Sequence, residues 1–304
     1  MDLTIEQLKT EFEQQGYIAD QDTVVTAYLA LKLKKPLLVE GPPGVGKTEI
    51  AKVLALVFNT DLIRLQCYEG LDENKALYEW NYQKQLIKIQ LAQADRDGQC
   101  LTAEDNLFSE EYLLERPLLK AIRAEKQPVL LIDEVDKVDQ EFEAFLFEVL
   151  SDFQVSIPEW GTLKSRQIPI VVLTSNGERE LSDGLKRRCI YLYLDYPSPE
   201  KELRIINAKV PETGRRLSME VAKAISYIRE RLELRKKPSI AETLDWARAL
   251  TALDADRLTP EMIDLTQNII FKNKDDIDNF RQNLGSRELV GYLSNGTGKT
   301  GGRG

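Results

Sequence analysis

The sequence contains no histidine. This absence excludes serine–histidine–aspartate triads, cysteine nucleophiles that a histidine activates, and metal sites with imidazole ligands. Any catalysis must therefore use carboxylates, lysine, arginine, asparagine, hydroxyl groups or a bound cation.

Cysteine and long apolar segments are also scarce. The three cysteines, Cys67, Cys100 and Cys189, form no C-x-x-C pair, which is typical of buried thiols in a reducing compartment. No apolar run approaches the roughly 18 residues that a membrane-spanning helix needs. The N-terminal segment is amphipathic and acidic, unlike a secretory or transit peptide. We therefore expect a cytoplasmic protein without a membrane span.

The 304 residues carry a formal net charge of −9, with 42% hydrophobic and 30% charged residues. These proportions are ordinary for a globular protein, and the length favours two domains. The excess of negative charge disfavours diffuse binding to nucleic acid or to an anionic membrane, although it is compatible with a local basic groove.

Hydrophobic periodicity divides the chain into two parts. Strands are predicted by short apolar runs at 37–39, 62–65, 129–132, 168–173 and 190–194. Such runs, spaced by helices, are typical of a parallel sheet covered on both faces. Helical patterns alone follow the prolines near 197, at 199–209, 218–234, 240–253, 260–271 and 274–284. We expect an α/β domain with N-terminal helices at 1–196, a smaller all-helical domain at 197–285 and a flexible tail at 286–304.

The strongest motif is Gly41-Pro42-Pro43-Gly44-Val45-Gly46-Lys47-Thr48, which matches G-x-x-x-x-G-K-[ST] between a predicted strand and a predicted helix. The glycines let backbone N–H groups point at phosphate oxygens, and the helix N-terminus adds partial positive charge. We expect Lys47 to reach the β- and γ-phosphates and the Thr48 hydroxyl to bind Mg²⁺. The alternative is a strand–turn–helix with a chance lysine. A chance match is our interpretation of Gly298-Lys299-Thr300, which lacks the first glycine and the flanking elements.

A second motif places two acids after the apolar run that ends at Ile132. Strand ends of this kind lie at the edge where parallel sheets bind ligands. We expect Asp133 to hold Mg²⁺ through water, and Glu134 to orient and deprotonate the water that attacks the γ-phosphate. The alternative is a strand that ends in solvated acids.

Two weaker signals follow. Asn176 ends another apolar strand and could contact the γ-phosphate and the attacking water, although Ser-Asn-Gly is also an ordinary turn. Arg187 and Arg188 end a short helical segment, where basic residues are also favoured by the helix dipole.

In this order and spacing, the four motifs resemble those of the AAA+ ATPases, and within them the chain resembles the MoxR group. The resemblance rests on the segments RLQCYEGLDENKALYEWNYQKQL (64–86), FEAFLFEVLSDFQVSIPEWGT (142–162) and TSNGERELSDGLKRRC (174–189). It implies a five-stranded P-loop domain with a helical lid, ATP and Mg²⁺ as cofactors, and a ring of usually six identical subunits. By position, Asn176 matches the family's first sensor. Arg188, with Arg187 as the close second, matches the arginine finger that completes a neighbour's site.

The chain departs from the family at one position and carries two distinctive segments. Many relatives have an arginine at the start of the third lid helix, where this sequence has Ala241; Arg248 lies about two turns further on. The family places an insertion near the second helix and a hairpin before the asparagine-bearing strand against the pore or the client. Trp80, Tyr82 and Trp160 lie in these segments, so they are candidates for client contact, with core or inter-subunit packing as the alternative.

These features predict a MoxR-type ATPase that remodels a protein client, for assembly or metal-centre maturation. The resemblance also implies a partner with a von Willebrand factor A-like domain, supplied as a separate chain. The alternatives are a DNA-acting AAA+ motor or loader, which the negative charge disfavours, a small-molecule kinase, and a nucleotide-gated scaffold with little hydrolysis.

Overall fold

The computed structural model describes residues 3–94, 107–157 and 161–295. The helices and strands in chain order are α1 (Ile5–Gln14), α2 (Gln21–Leu33), β1 (Leu37–Glu40), α3 (Lys47–Val57), β2 (Leu62–Gln66), α4 (Glu73–Ala76), β3 (Tyr78–Trp80), α5 (Tyr82–Ala94), β4 (Leu113–Glu115), α6 (Pro117–Arg123), β5 (Val129–Asp133), α7 (Gln140–Asp152), β6 (Gln154–Ile157), β7 (Gly161–Lys164), β8 (Ile170–Ser175), α8 (Asp183–Arg188), β9 (Ile190–Tyr193), α9 (Pro199–Lys209), α10 (Arg215–Arg231), α11 (Ile240–Ala252), α12 (Pro260–Ile270), α13 (Lys274–Asn283) and α14 (Gly285–Asn295). Short 3-10 turns lie at Glu110–Tyr112 and Val135–Lys137.

A five-stranded parallel sheet forms the centre of the α/β region, with the strand order β2-β5-β8-β1-β9. Its strands are the five that the apolar runs predict, so the predicted α/β class with a helical C-terminal region is confirmed. Strand β5 is buried along its whole length, as expected where both faces of a sheet are covered. Because the strands are parallel, their carboxyl ends meet at one edge, and the predicted acids and asparagine lie at or directly after two of those ends.

The core beside this sheet contains two of the three cysteines. Cys67 and Cys189 are buried, and burial raises the pKa of each thiol to about 12, which makes both unreactive near neutral pH. Cys100 lies outside the described residues. The prediction of buried thiols is confirmed for these two positions.

Two small antiparallel pairs accompany the main sheet, β3 with β4 and β6 with β7. The second pair is the hairpin that the family resemblance implies; its tip, with Trp160, lies outside the described residues. Trp80 on β3 is only 7% exposed and makes edge-to-face contacts with Tyr78 and Phe108, at centroid distances of 5.9 and 5.3 Å. Of the two alternatives for Trp80, client contact and packing, the structure supports packing, because the ring lies within the fold.

The C-terminal helices enclose a separate apolar core. Trp246 is fully buried in it, and its indole Nε1 donates to Thr266 Oγ1 at 2.7 Å. The expected flexible tail at 286–304 is wrong for its first part, because α14 continues to Asn295 and buries Leu289 and Leu293 at helical spacing. Residues 296–304 lie outside the described part of the chain.

The described residues of Met1–Asp20, Gly41–Lys47 and Leu194–Gly304 form one compact unit, and those of Gln21–Glu40 and Thr48–Tyr193 form a second. In the first unit α1 lies against α9, where Arg204 donates to Glu13 at 3.0 Å. The domain boundary at 196 stays a prediction. Within residues 3–94, 107–157 and 161–295, no helix is both long and apolar enough to cross a membrane.

Candidate functional site

The predicted phosphate loop follows β1 and ends where α3 begins. Lys47 folds back over this loop, and its Nζ donates to the carbonyl oxygens of Gly41 at 2.7 Å and Pro42 at 2.8 Å. The side chain is 6% exposed. These contacts hold the Lys47 ammonium group at the loop. The motif predicts that the N–H groups of the same loop bind phosphate.

Gly44 lies against the start of α11, the third of the C-terminal helices α9–α14, which together are called the lid below. Its φ is +76°, and a Cβ atom at this position would lie 2.2 Å from Ser239 Oγ. Ser239 caps α11 and accepts a hydrogen bond from Ala241 N at 3.2 Å. Arg248 pairs with Asp245 at 3.0 Å on the same helix. The start of α11 therefore meets the phosphate loop through a serine, at the end of the helix where the family resemblance leads us to expect an arginine.

Asp133 ends β5 and is held by three donors. Thr48 Oγ1 and Thr174 Oγ1 donate to its Oδ1 at 3.0 and 2.5 Å, and Arg64 donates to its Oδ2 at 2.5 Å. Gln66 is its register partner on β2. Because Asp133 is 5% exposed, these donors replace water around a buried carboxylate.

The two predicted metal ligands, Thr48 and Asp133, are thus in contact. Hydroxyl and carboxylate oxygens are the donors that Mg²⁺ prefers, so this pair fits the ion. The described residues contain no group of three or more carboxylate or cysteine side chains that could enclose a metal. Mg²⁺ is commonly held by one or two carboxylates together with waters and substrate phosphates.

Glu134 follows Asp133 in a left-handed conformation, with φ +58° and ψ +50°, which residues other than glycine rarely adopt. Its backbone N–H donates to Thr174 Oγ1 at 2.9 Å. Its Oε2 accepts hydrogen bonds from Gln66 at 2.9 Å and from Lys137 at 2.7 Å. The contact with Glu134 also raises the pKa of the Lys137 ammonium. The predicted general base is therefore half-buried and restrained from two sides.

Asn176 follows β8 and is positioned by a buried acid. Asp136 Oδ2 accepts the backbone N–H groups of Asn176 and Glu178, each at 3.0 Å. Asp136 Oδ1 is buried and has no hydrogen-bond partner within the described chain. Asp136 therefore fixes the turn that carries the predicted sensor.

The two candidate finger residues differ in their surroundings. Arg188 donates through Nε to Ser151 at 2.6 Å, and its guanidinium carbon lies 3.4 Å from the centroid of the Phe147 ring. Arg187 has a side chain that is 82% exposed and a loose 3.9 Å pairing with Asp183. Arg188 is thus engaged on α7 of its own chain, whereas Arg187 extends from the surface.

Four residues of this cluster were not predicted from the sequence: Arg64, Gln66, Thr174 and Asp136. Arg64 and Gln66 alternate on one face of β2, and Thr174 directly precedes Ser175 and the predicted Asn176. The signal was therefore present as polar residues at strand ends. Their partners become evident only from the strand order.

The chain is similar in sequence to several known proteins. The chain is 27% identical over 188 residues to an uncharacterized protein of Staphylococcus haemolyticus, covering 59% of this chain and 63% of that protein. It thus spans less than two thirds of that relative's length. It is 22% identical over 214 residues to the gas vesicle ATPase GvpN of Haloferax mediterranei, covering 67% of this chain and 59% of GvpN.

Among solved structures, the RuvB Holliday junction branch migration motor of Thermotoga maritima aligns with 91% of this chain and 82% of its own, at 18% identity and a TM-score of 0.49. The model of the AAA domain, dynein-related subfamily, matches residues 36–189, which is just over half of the chain and includes every predicted catalytic and phosphate-binding residue. The chain belongs to this AAA family.

Proposed function

We propose that the protein is a cytoplasmic, Mg²⁺-dependent ATPase of the MoxR type that remodels a protein client. The observation that carries this proposal is the hydrogen-bonded series from Thr48 through Asp133 and Thr174 to Glu134. Thr48 directly follows Lys47, so the series continues from the phosphate-loop motif. Membership of the AAA family supports nucleotide binding, and the likeness to a protein named as a gas vesicle ATPase supports turnover.

In the proposed mechanism each residue has a separate task. The loop N–H groups and Lys47 bind the phosphates. Thr48 and Asp133 would hold Mg²⁺, which neutralises charge on the phosphate oxygens when it is bound. Glu134 orients the attacking water and accepts its proton, and Asn176 contacts that water or the γ-phosphate.

Two substitutions test the proposal. We expect Lys47→Ala to abolish ATP binding, because it removes the charge that holds ground-state phosphates. We expect Glu134→Gln to bind ATP normally and to lose turnover by about 100-fold or more, because it removes a base that acts on water. Titration with a fluorescent ATP analogue and steady-state phosphate release measure both. Rapid hydrolysis by Glu134→Gln would contradict the assigned base, and wild-type binding without turnover would favour the scaffold.

We propose in addition that the subunits form a ring, usually of six, in which an arginine completes the neighbour's site. The exposure of Arg187 supports it as the finger, while Arg188 remains the choice by position. Loss of a finger typically lowers turnover about 1,000-fold or more. If Arg188 is the finger, Arg188→Ala subunits should be inactive alone and should regain turnover when they are mixed with Lys47→Ala subunits. If Arg187 is the finger, Arg187→Ala subunits should behave in this way instead. Full activity of a dilute monomer would contradict both.

The surface of α5 supports contact with a protein client. Tyr82, Leu86 and Ile87 are 57–61% exposed, whereas Gln85 on the same helix is buried and donates to Leu107 O at 2.6 Å. Exposed aromatic and aliphatic side chains beside one another favour protein interfaces. Trp160, which lies outside the described residues, stays a candidate for the same role. The partner with a von Willebrand factor A-like domain would be a separate chain.

A further inference from the structure

Strand β2 lies at the edge of the sheet and sends two polar side chains towards the acids of β5. Arg64 Nη2 lies 2.5 Å from Asp133 Oδ2, and the same nitrogen donates to Gln66 Oε1. Gln66 in turn donates to Glu134 at 2.9 Å. One half-exposed arginine thus contacts the predicted metal ligand and the side chain that holds the predicted base.

The surroundings of Asp133 make this arginine more than a surface ion pair. Asp133 is 5% exposed, and the hydroxyls of Thr48 and Thr174 both donate to Oδ1. Arg64 therefore supplies the positive charge at Oδ2 of a carboxylate that has little contact with water. A buried carboxylate without such a partner is strongly disfavoured.

Mg²⁺ held at Oδ2 through a water and a guanidinium bonded to the same oxygen would compete for that acceptor and repel each other, because the two charges would lie only a few ångströms apart. The Arg64 side chain is 54% exposed, so it can leave for solvent at little cost, whereas Asp133 cannot move away from its strand. Metal arrival and arginine departure are therefore linked.

We propose that Arg64 is a positioning residue that neutralises Asp133 in the metal-free protein and competes with Mg²⁺ for its Oδ2 atom. Arg64 then sets the concentration of Mg²⁺ that nucleotide binding requires. Because it also contacts Gln66, its departure removes one restraint on the side chain that holds Glu134. This inference rests on the proposed function, since it needs Mg²⁺ at Asp133.

The test measures Mg²⁺ dependence without measuring hydrolysis. Binding of a fluorescent ADP analogue is titrated against MgCl₂ for wild type and for Arg64→Ala, with Arg64→Gln as a second variant that keeps much of the side-chain length. We expect the Mg²⁺ midpoint to fall about tenfold in both variants, the size of one charge-assisted hydrogen bond. The melting temperature without metal should also fall, and MgADP should restore more of it than in wild type.

Lys137→Ala is the matched control, because it removes one positive charge that contacts Glu134 rather than Asp133. A midpoint shift clearly smaller than that of Arg64→Ala supports direct competition, whereas equal shifts would show a general effect of charge and overturn it. In an Asp133→Asn background, Arg64→Ala should have no further effect on the midpoint. An unchanged or higher midpoint in Arg64→Ala overturns the inference alone. A wild type that binds no nucleotide at any Mg²⁺ concentration overturns the proposed function as well.

Discussion

Two buried acids, Glu202 in the lid and Asp133 at the carboxyl end of β5, are paired with positive charge in different ways. In the lid, Glu202 accepts both guanidinium nitrogens of Arg229, at 2.8 and 2.9 Å, and a hydrogen bond from Thr243 at 2.6 Å. Both members of that pair are buried. At the end of β5, Asp133 accepts hydrogen bonds from residues of α3, β8 and β2, and its charged partner, Arg64, is half exposed.

The difference separates a structural pair from an exchangeable one. Arg229 engages both oxygens of Glu202, Thr243 shares one of them, and Arg229 also donates to Pro238 O at 2.6 Å, next to the start of α11. Burial nevertheless raises the pKa of Glu202, despite the nearby arginine. Arg64, by contrast, is half exposed, so we expect it to leave Asp133 without unfolding of the sheet. We therefore infer that the first pair stabilises the lid and that the second is available for chemistry.

Breaking the lid pair should have the largest effect on stability. Arg229→Ala leaves Glu202 buried without its charged partner, which typically costs about 3–5 kcal/mol. Arg248→Ala is the matched control on the lid surface, because both members of its pair with Asp245 are exposed; it should cost less than about 1 kcal/mol. Urea unfolding of the two variants measures the difference. Equal losses would show that burial of the pair is not what matters.

The contact between Gly44 and Ser239 should come next. Gly44→Ala forces a left-handed alanine and a clash with Ser239, which together should cost about 2 kcal/mol and weaken ATP binding. Gly70→Ala separates the two causes, because Gly70 has a similar φ of +79° and nothing within 4 Å of the added Cβ. It should cost only about 1 kcal/mol.

A rescue variant sharpens the same test. Ser239→Gly removes the clashing atoms and costs only a few tenths of a kcal/mol as a helix cap. The double variant Gly44→Ala/Ser239→Gly should therefore be more stable than Gly44→Ala alone. If the second substitution only adds to the loss, the phosphate loop and the lid serine are not in contact in solution.

The sequence predicted the five strands and the acids at their ends because continuous apolar runs and polar strand ends are local signals. The contacts of Arg64 and Gln66 depend instead on β2 lying next to β5, and strand order is not a local property. The role of Asp136 is not a local property either. As the third acid in the series Asp133, Glu134 and Asp136 it resembles a solvated residue, yet the short turn at Val135–Lys137 buries it beneath the loop after β8.

The helix α14 was missed for a different reason. The glycines at the end of the chain favoured a tail, although Leu289 and Leu293 stand four residues apart, which is helical spacing. At this position periodicity is a better guide than composition. For Trp80 the polar neighbours leave surface and core placement open, and only the pairing of β3 with β4 decides for burial.

The smallest expected effect concerns the pH dependence of stability. It compares Glu202 of the lid with Glu143, a buried acid on α7. Glu143 on α7 accepts hydrogen bonds from Ser182 N at 2.6 Å and from Arg179 at 2.8 Å. Burial raises the pKa of its carboxyl, but these hydrogen bonds outweigh burial and bring the pKa below its ordinary value. For Glu202 burial prevails, and the pKa lies above its ordinary value.

The two shifts have opposite consequences for stability. The contribution of Glu143 is complete above the unfolded-state pKa of about 4.3 and is lost as the pH falls through the lower folded pKa. The contribution of Glu202 is complete below about pH 4.3 and is lost as the pH rises through the higher folded pKa.

The stability difference between wild type and Glu143→Gln should therefore grow from acid to neutral pH, while that between wild type and Glu202→Gln should shrink. Urea unfolding at a series of pH values measures both. The double variant should show the sum, because the acids share no partner. Differences that change in the same direction would mean that the two buried acids are not neutralised in different ways.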